Sequence, residues 1–225
     1  MTTNKKLGRT VGLLYLIIII VGASSLNLRG LSTSMFESAA FYNDISSNEF
    51  QMRLSIFLDI LAAILSVGIA VLLFPIMKKY NNKMALWYLG LYFTYLAVIF
   101  ISDIDRLSLI SLSENLTASS DPDNWNKLGL VLMQSYIQAH FISLIIYSAA
   151  SILLYYLFFK TKMIPRPLAG WGILAVAIVH VVTWVQIFGI SVRFDFYLQN
   201  GVFMLVFTGW LLAKGFSDSS IPSEQ

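Results

Sequence analysis

Residues 54–77 read LSIFLDILAAILSVGIAVLLFPIM, from Leu54 to Met77. Asp59 is the one charged residue in that run. The rest is aliphatic, aromatic or small. Crossing the hydrocarbon core of a bilayer as a helix takes about 20 such residues, so this stretch reads as a membrane span. It is bounded by Arg53 on one side and by Lys78-Lys79 on the other. Working outward, five more stretches carry the same signature, at about 8–28, 84–102, 135–159, 168–190 and 197–212. The fourth begins somewhere between Leu128 and Ala139, and the sixth is the shortest. Lys78–Lys83 and Lys160–Pro167 read as tight basic turns. Arg29–Phe50 and Leu107–Lys127 read as longer polar connections, with Asp121-Pro122-Asp123 as a loop signal because proline drives its predecessor out of helical geometry.

Composition supports this reading. Of 225 residues, 57% are hydrophobic and 12% charged, with a mean hydropathy of +0.73. Soluble domains carry about 25% charged residues. A disordered chain, a nucleic-acid-binding domain and an ordinary soluble enzyme are excluded on those figures. The absence of Cys removes disulfides, thiolate nucleophiles and Cys-ligated metals, and two His residues cannot form a three-His metal site.

Charge placement sets the expected orientation. Lys5, Lys6, Arg9, Lys78, Lys79, Lys83, Lys160, Lys162, Arg166 and Lys214 fall on one side, ten of the fifteen basic residues. Only Asp218 and Glu224 among the acids join them. The positive-inside rule then puts both termini in the cytoplasm. Trp87, Trp171 and Trp210 fall at cytoplasmic ends and Trp125 and Trp184 at the opposite interface, as aromatic belts do. The expected fold is an all-α transmembrane bundle of six helices in three in–out–in hairpins, forming one integral membrane domain over residues 1–225. Lys5, Lys6 and Arg9, an apolar run and Gly22-Ala23-Ser24-Ser25 have the layout of a secretory signal peptide. The run is long for one, and reads as the first crossing.

Helical spacing collects the polar residues on single faces. Ser55, Asp59, Ala62, Ser66 and Ala70 form one stripe. Tyr88, Tyr92, Tyr95, Ser102 and Arg106 form a second, and Tyr136, His140, Ser143, Tyr147 and Ser151 a third. Gly172, His180 and Thr183 align on the fifth segment. These faces are expected to point into the bundle, with Leu, Ile, Val and Phe toward lipid. Gly8-x-x-x-Gly12 permits close helix approach, more simply within the bundle than between copies.

Asp59 is the most informative residue. A carboxylate inside a bilayer needs a partner, water or a proton. It reads either as part of a ligand site or as a structural pair with Arg53 or Arg106. Asp103-Ile104-Asp105-Arg106 reads as a solvated helix terminus or, more sharply, as the wall of an external pocket. Arg193 and Asp195 read as a solvated end. His140 and His180 with a carboxylate would suit zinc or non-haem iron, but no spacing supports a metal site and no cofactor is expected. Buried histidines bonded to Tyr, Ser or Gln are the plainer account, with Gln134, Gln138 and Gln186 as interhelical glue. No G-x-S-x-G, P-loop or G-x-G-x-x-G occurs. Asn115-Leu116-Thr117 is a glycosylation sequon, relevant only in a eukaryotic secretory pathway.

Several local motifs occur together. They are Gly12-Leu13-Leu14-Tyr15, Arg53 with Asp59, Asn81-Asn82 before the third segment, His140, and Ile164-Pro165-Arg166 with Leu168 and Gly170. In this order the chain, from Arg9 to about Gly215, resembles the bacterial membrane-protein family catalogued as domain of unknown function 4386. The resemblance implies a six-helix protein of the bacterial inner membrane and no assigned activity. It does not extend to Asp103-Ile104-Asp105-Arg106.

The expected function is binding or transport of a small molecule through an outward-facing polar pocket. The expected ligand-binding residues are Arg53, Asp59, Asp103, Arg106, His140 and His180. The expected partners are the bilayer and that ligand, not nucleic acid. The alternatives are an intramembrane enzyme, metal-dependent or not, and an accessory subunit whose polar groups pair among themselves.

Overall fold

The computed structural model describes residues 3–35, 45–116 and 122–217. Thr117 of the sequon, Asp121 of the loop signal, and Asp218 and Glu224 lie outside them. Six long helices account for almost all of the described chain: α1 (Thr3–Met35), α2 (Glu49–Tyr80), α3 (Asn82–Leu116), α4 (Pro122–Thr161), α5 (Arg166–Ile187) and α6 (Asp195–Lys214). All six are long and apolar enough to cross a membrane. The protein is an all-helical, multi-pass membrane protein.

Each helix packs on its neighbours in sequence, and α6 returns to pack on α1, so the six close into a ring. Short links make neighbours antiparallel. Asn81 alone separates α2 from α3. Its side-chain oxygen accepts the Met84 backbone N–H at 2.9 Å, capping the new helix. Pro165 opens α5 in an extended conformation (φ −55°, ψ 133°), and Pro167 falls in its first turn, where no N–H is required. Arg9 donates to the Ala213 carbonyl, and the Ser217 N–H to that of Met163. The start of α1, the α4–α5 turn and the end of α6 therefore share one end of the ring, as their common basic charge leads one to expect.

The ring interior holds two apolar cores. The larger one lies toward the basic end. It is built from the aromatic side of α3 (Tyr88, Tyr92), of α4 (Tyr155, Phe158) and of α6 (Phe203, Phe207), with Leu73 and Met77 of α2. Phe203 and Phe207 stack at 5.7 Å, and Tyr155 meets both edge-on at 5.0 and 5.5 Å. The smaller core lies toward the other end and comprises Ile45, Met52, Ile56, Leu109, Ile110 and Met133.

The smaller core exists because α2, α3 and α4, like α1, outrun the expected spans. The fall in hydropathy predicts that α3 ends near Ser102 and that α4 begins near Gln134. Instead α3 runs to Leu116 and α4 starts at Pro122, so the polar connection predicted at 107–127 is largely helix. A helix satisfies its backbone internally in water as in lipid. Ser111 and Glu114 are exposed there, while Leu109, Ile110 and Met133 continue an inner stripe and Ser113 is buried with its hydroxyl on the Ile110 carbonyl. The second helix likewise begins at Glu49, not Leu54. At 1.5 Å per residue α3 and α4 are about 52 and 60 Å long, against about 33 and 30 Å for α5 and α6.

The seam between α1 and α6 is the tightest contact. A Cβ on Gly8 would lie 2.2 Å from the Phe216 backbone nitrogen, and one on Gly12 would lie 2.8 Å from Leu211 Cβ. Tyr15 continues the seam edge-on to Phe207 at 5.6 Å. The small residues of α1 thus serve packing inside the ring. Gly8→Ala and Gly12→Val are expected to lower the unfolding temperature in detergent by several degrees, since overpacking a rigid contact costs about 1–3 kcal/mol. Gly68→Ala, where an added methyl meets nothing within 4 Å, is the neutral control. Equal Tm values for all three variants would contradict the seam.

Candidate functional site

Between the two cores lies a polar layer, and Arg106 is its centre. Its Nη1 donates to Asp59 Oδ2 on α2 at 2.7 Å and to Asp103 Oδ1, one turn back on α3, at 3.1 Å. Its Nη2 donates to the Ser55 hydroxyl, which in turn donates to the Met52 carbonyl at 2.7 Å. The guanidinium stands 5.6 Å from the ring centroid of Tyr136 on α4. Ser25 on α1 donates to the Ser55 carbonyl at 3.0 Å, so four helices meet at this level. Side-chain exposures are 3% for Arg106, 5% for Asp103 and 15% for Asp59.

That burial overturns the solvated-terminus reading of Asp103–Arg106. Because α3 continues to Leu116, these residues are about 15 Å from its end. Asp59 is also about 15 Å inside its helix, deeper than a start at Leu54 suggests. Antiparallel packing brings the two to one depth. Of the two arginines that could partner Asp59, the structure selects Arg106. Arg53 lies six residues from Asp59 and so points about 120° away around α2. It is exposed and pairs with Glu49 at 2.5 Å and Glu114 at 3.4 Å.

Beside this cluster is a cavity of ≈ 440 Å³, partly open to the exterior. Its polar wall consists of Asp59, Asp103, His140, Tyr95, Tyr147 and Asn200, with Ser102 and Ser143 between them. The apolar wall is Ile18, Leu26, Ala62, Ile99 and Leu144, and Gly22 leaves room on the α1 side. The lining comes from α1, α2, α3, α4 and α6. Arg106 itself is not at the surface of the cavity. It stands behind the two carboxylates.

His180 stands apart from the cavity. Trp184 Nε1 donates to its Nε2 at 3.2 Å, which makes Nε2 the unprotonated nitrogen. Nδ1–H then donates to Ser148 Oγ at 2.8 Å, and that hydroxyl donates to the Ile145 carbonyl at 2.9 Å. Both ring nitrogens are used, Nδ1 in joining α5 to α4 and Nε2 within α5. Gln186 accepts from the Tyr197 hydroxyl and so ties α5 to α6. Arg193 and Asp195 form an exposed pair on the α5–α6 turn. Asn200 is the lining residue that the sequence reading passed over. Its signal was available, as an amide inside the sixth apolar segment.

Ser143 does not form a nucleophile–base pair with His140. Its hydroxyl donates to the His140 backbone carbonyl at 2.7 Å. Among the described residues no three His, Asp or Glu side chains converge as a metal site.

Residues 10–215 match the family described as Domain of unknown function (DUF4386). The chain belongs to the DUF4386 family. No curated protein and no solved structure matches it. The DUF4386 motifs named above have distinct places in the structure. Gly12 seats α6, Asp59 holds Arg106, Asn81 caps α3, and His140 lines the cavity.

Removing Arg106 is expected to be far more damaging than removing an exposed arginine. Breaking a buried pair from one side costs about 3–5 kcal/mol, because the remaining charge is left uncompensated. Arg106→Gln should therefore lose most folded protein in a detergent stability assay, and Arg53→Gln little. Adding Asp59→Asn and Asp103→Asn to Arg106→Gln should restore much of the loss. A wild-type Tm for Arg106→Gln would contradict the assignment.

Proposed function

We propose that this is an inner-membrane protein with both termini in the cytoplasm, and that it binds a small cationic molecule in the cavity beside Asp59 and Asp103. The observation that carries the reading is a pair of carboxylates at an accessible space. Asp59 and Asp103 both line the cavity, and among the described residues no Lys or Arg does. A volume of ≈ 440 Å³ falls within the range of about 300–1,000 Å³ typical of small-molecule sites. Tyr95 and Tyr147 add aromatic faces, which attract ammonium groups.

An accessory subunit would close its polar groups on one another and leave no space. A nucleophilic enzyme would require a nucleophile–base pair at the cavity, and the Ser143–His140 geometry supplies no such pair. Transport by the broken-helix route has no support either, since none of the six helices is interrupted along its length.

The test is thermal unfolding of the purified protein with n-butylammonium chloride against sodium chloride at equal ionic strength. A ligand at 100 times its Kd stabilises by about 2.7 kcal/mol, so a rise in Tm of several degrees is expected. Asp59→Asn, which keeps an acceptor for Arg106, should fold and lose the rise. Arg53→Gln should keep it. An equal rise in Asp59→Asn, or none in the wild type, would refute the proposal.

A further inference from the structure

The position of the cavity mouth narrows the class of ligand. Gly8 against Gly215, Gly12 against Leu211 and Tyr15 against Phe207 place α1 and α6 in one antiparallel register. Continued along both helices, it sets Gly22 level with Asn200 and Leu26 level with Tyr197. Tyr197 is in the first turn of α6, which begins at Asp195. Beyond that level α6 is absent, and α5 has already ended at Ile187, while α1 and α4 continue. Among the described residues the ring is therefore open on one side just above the cavity.

Leu26 marks the opening. It is the one lining residue that is strongly exposed, at 54%, the others being buried or half-buried. It lies 20 residues along α1 from Lys6 in the basic cluster, about 30 Å at helical rise, which is the thickness of the hydrocarbon core. The mouth thus falls at the bilayer boundary remote from the basic turns. Its surroundings are apolar. The α5–α6 turn, at the same level, exposes Phe188, Ile190 and Phe194, with Phe188 79% exposed. A mouth serving a ligand from water has no use for such a rim; one serving a ligand from lipid does.

We propose that the ligand is a single-chain amphipath with an ammonium head, drawn sideways from the leaflet remote from the basic turns. This rests on the cation-binding reading above. The head passes Leu26 and meets Asp59 and Asp103. The chain lies along Leu26 and stays in the leaflet. A phosphate-headed lipid is disfavoured, because two carboxylates line the cavity and, among the described residues, no basic side chain does. The space is also too small to hold a whole two-chain lipid.

The experiment measures binding of labelled n-alkylammonium ions, from butyl to dodecyl, to the full-length protein in phosphatidylcholine nanodiscs. Asp59→Asn discs provide the blank for partitioning into lipid. If the bound chain stays in the leaflet, each added methylene also stabilises the bound state, so the apparent Kd against free aqueous ion should fall at least tenfold across the series. If the bound chain lies outside the lipid, partitioning only competes, so the Kd should stay flat or rise. A flat or rising series with Asp59-dependent butylammonium binding would overturn the lateral route and leave the cation site standing. No Asp59-dependent binding at any chain length would overturn both. Gly22→Leu is the second variant. A Cβ there meets nothing within 4 Å, so the protein should fold while the cavity fills from the α1 side. It is expected to lose binding of the whole series at an unchanged Tm. Wild-type affinities in Gly22→Leu would show that the ammonium ions bind elsewhere, and would overturn the proposal.

Discussion

A guanidinium cannot sit between helices in a membrane protein without counter-charge. Arg106 meets that constraint with three acceptors on two helices and an aromatic face on a third. Arginine suits this role because its donors are fixed in a planar fork; a lysine could not address Asp59, Asp103 and Ser55 together. The rest of the architecture depends on this cluster. It holds α2 and α3 at one register, divides the interior into two apolar cores, and turns two carboxylates toward an adjoining space. Buried ion pairs are seldom the best route to stability, because desolvation offsets much of the attraction. Well-packed leucines would hold α2 to α3 at least as well. The retention of charge beside a cavity is therefore an argument for recognition.

Helix length carries a second consequence. At about 30 Å, α5 and α6 match a bilayer and little more, while α1 to α4 rise beyond it around Met52, Ile56, Leu109 and Ile110. The ring is complete within the membrane and has four helices above it. The polar layer lies where the number of helices changes, and the mouth opens there because two of the six walls stop. The tight Gly8–Gly12 seam is what keeps α6 against α1 below that level.

Much of this was legible in the sequence. The stripes through Asp59, through Tyr88, Tyr92 and Tyr95, and through His140 and Tyr147 do face inward, because lipid admits only apolar faces. The six spans and the shared basic end followed from hydropathy and Lys and Arg placement. What escaped had physical reasons. Hydropathy marks where lipid ends, not where a helix ends, so the extensions of α3 and α4 read as loops and Asp103–Arg106 as a solvated terminus. Proximity in sequence made Arg53 a plausible partner for Asp59, whereas six residues of helical rotation turn it outward. His180 was grouped with His140 by residue type, while its hydrogen bonds to Ser148 and Trp184 occupy it elsewhere. Asn200 stood out as an amide inside the sixth apolar segment, and only its place beside the cavity needed the α1–α6 register.

The central claim is that Asp59 and Asp103 face a space open to the exterior of the bundle. The natural absence of cysteine permits a direct measurement. Gly22→Cys would be reacted in intact cells with paired methanethiosulfonates, one bearing trimethylammonium and one bearing sulfonate. Gly90→Cys, on the outer face of α3, serves as the lipid-facing control. The account expects Gly22→Cys to react, faster with the cationic reagent than with the anionic one, and Gly90→Cys to stay inert. Reaction at Gly22→Cys no faster than at Gly90→Cys, or indifferent to reagent charge, would contradict it.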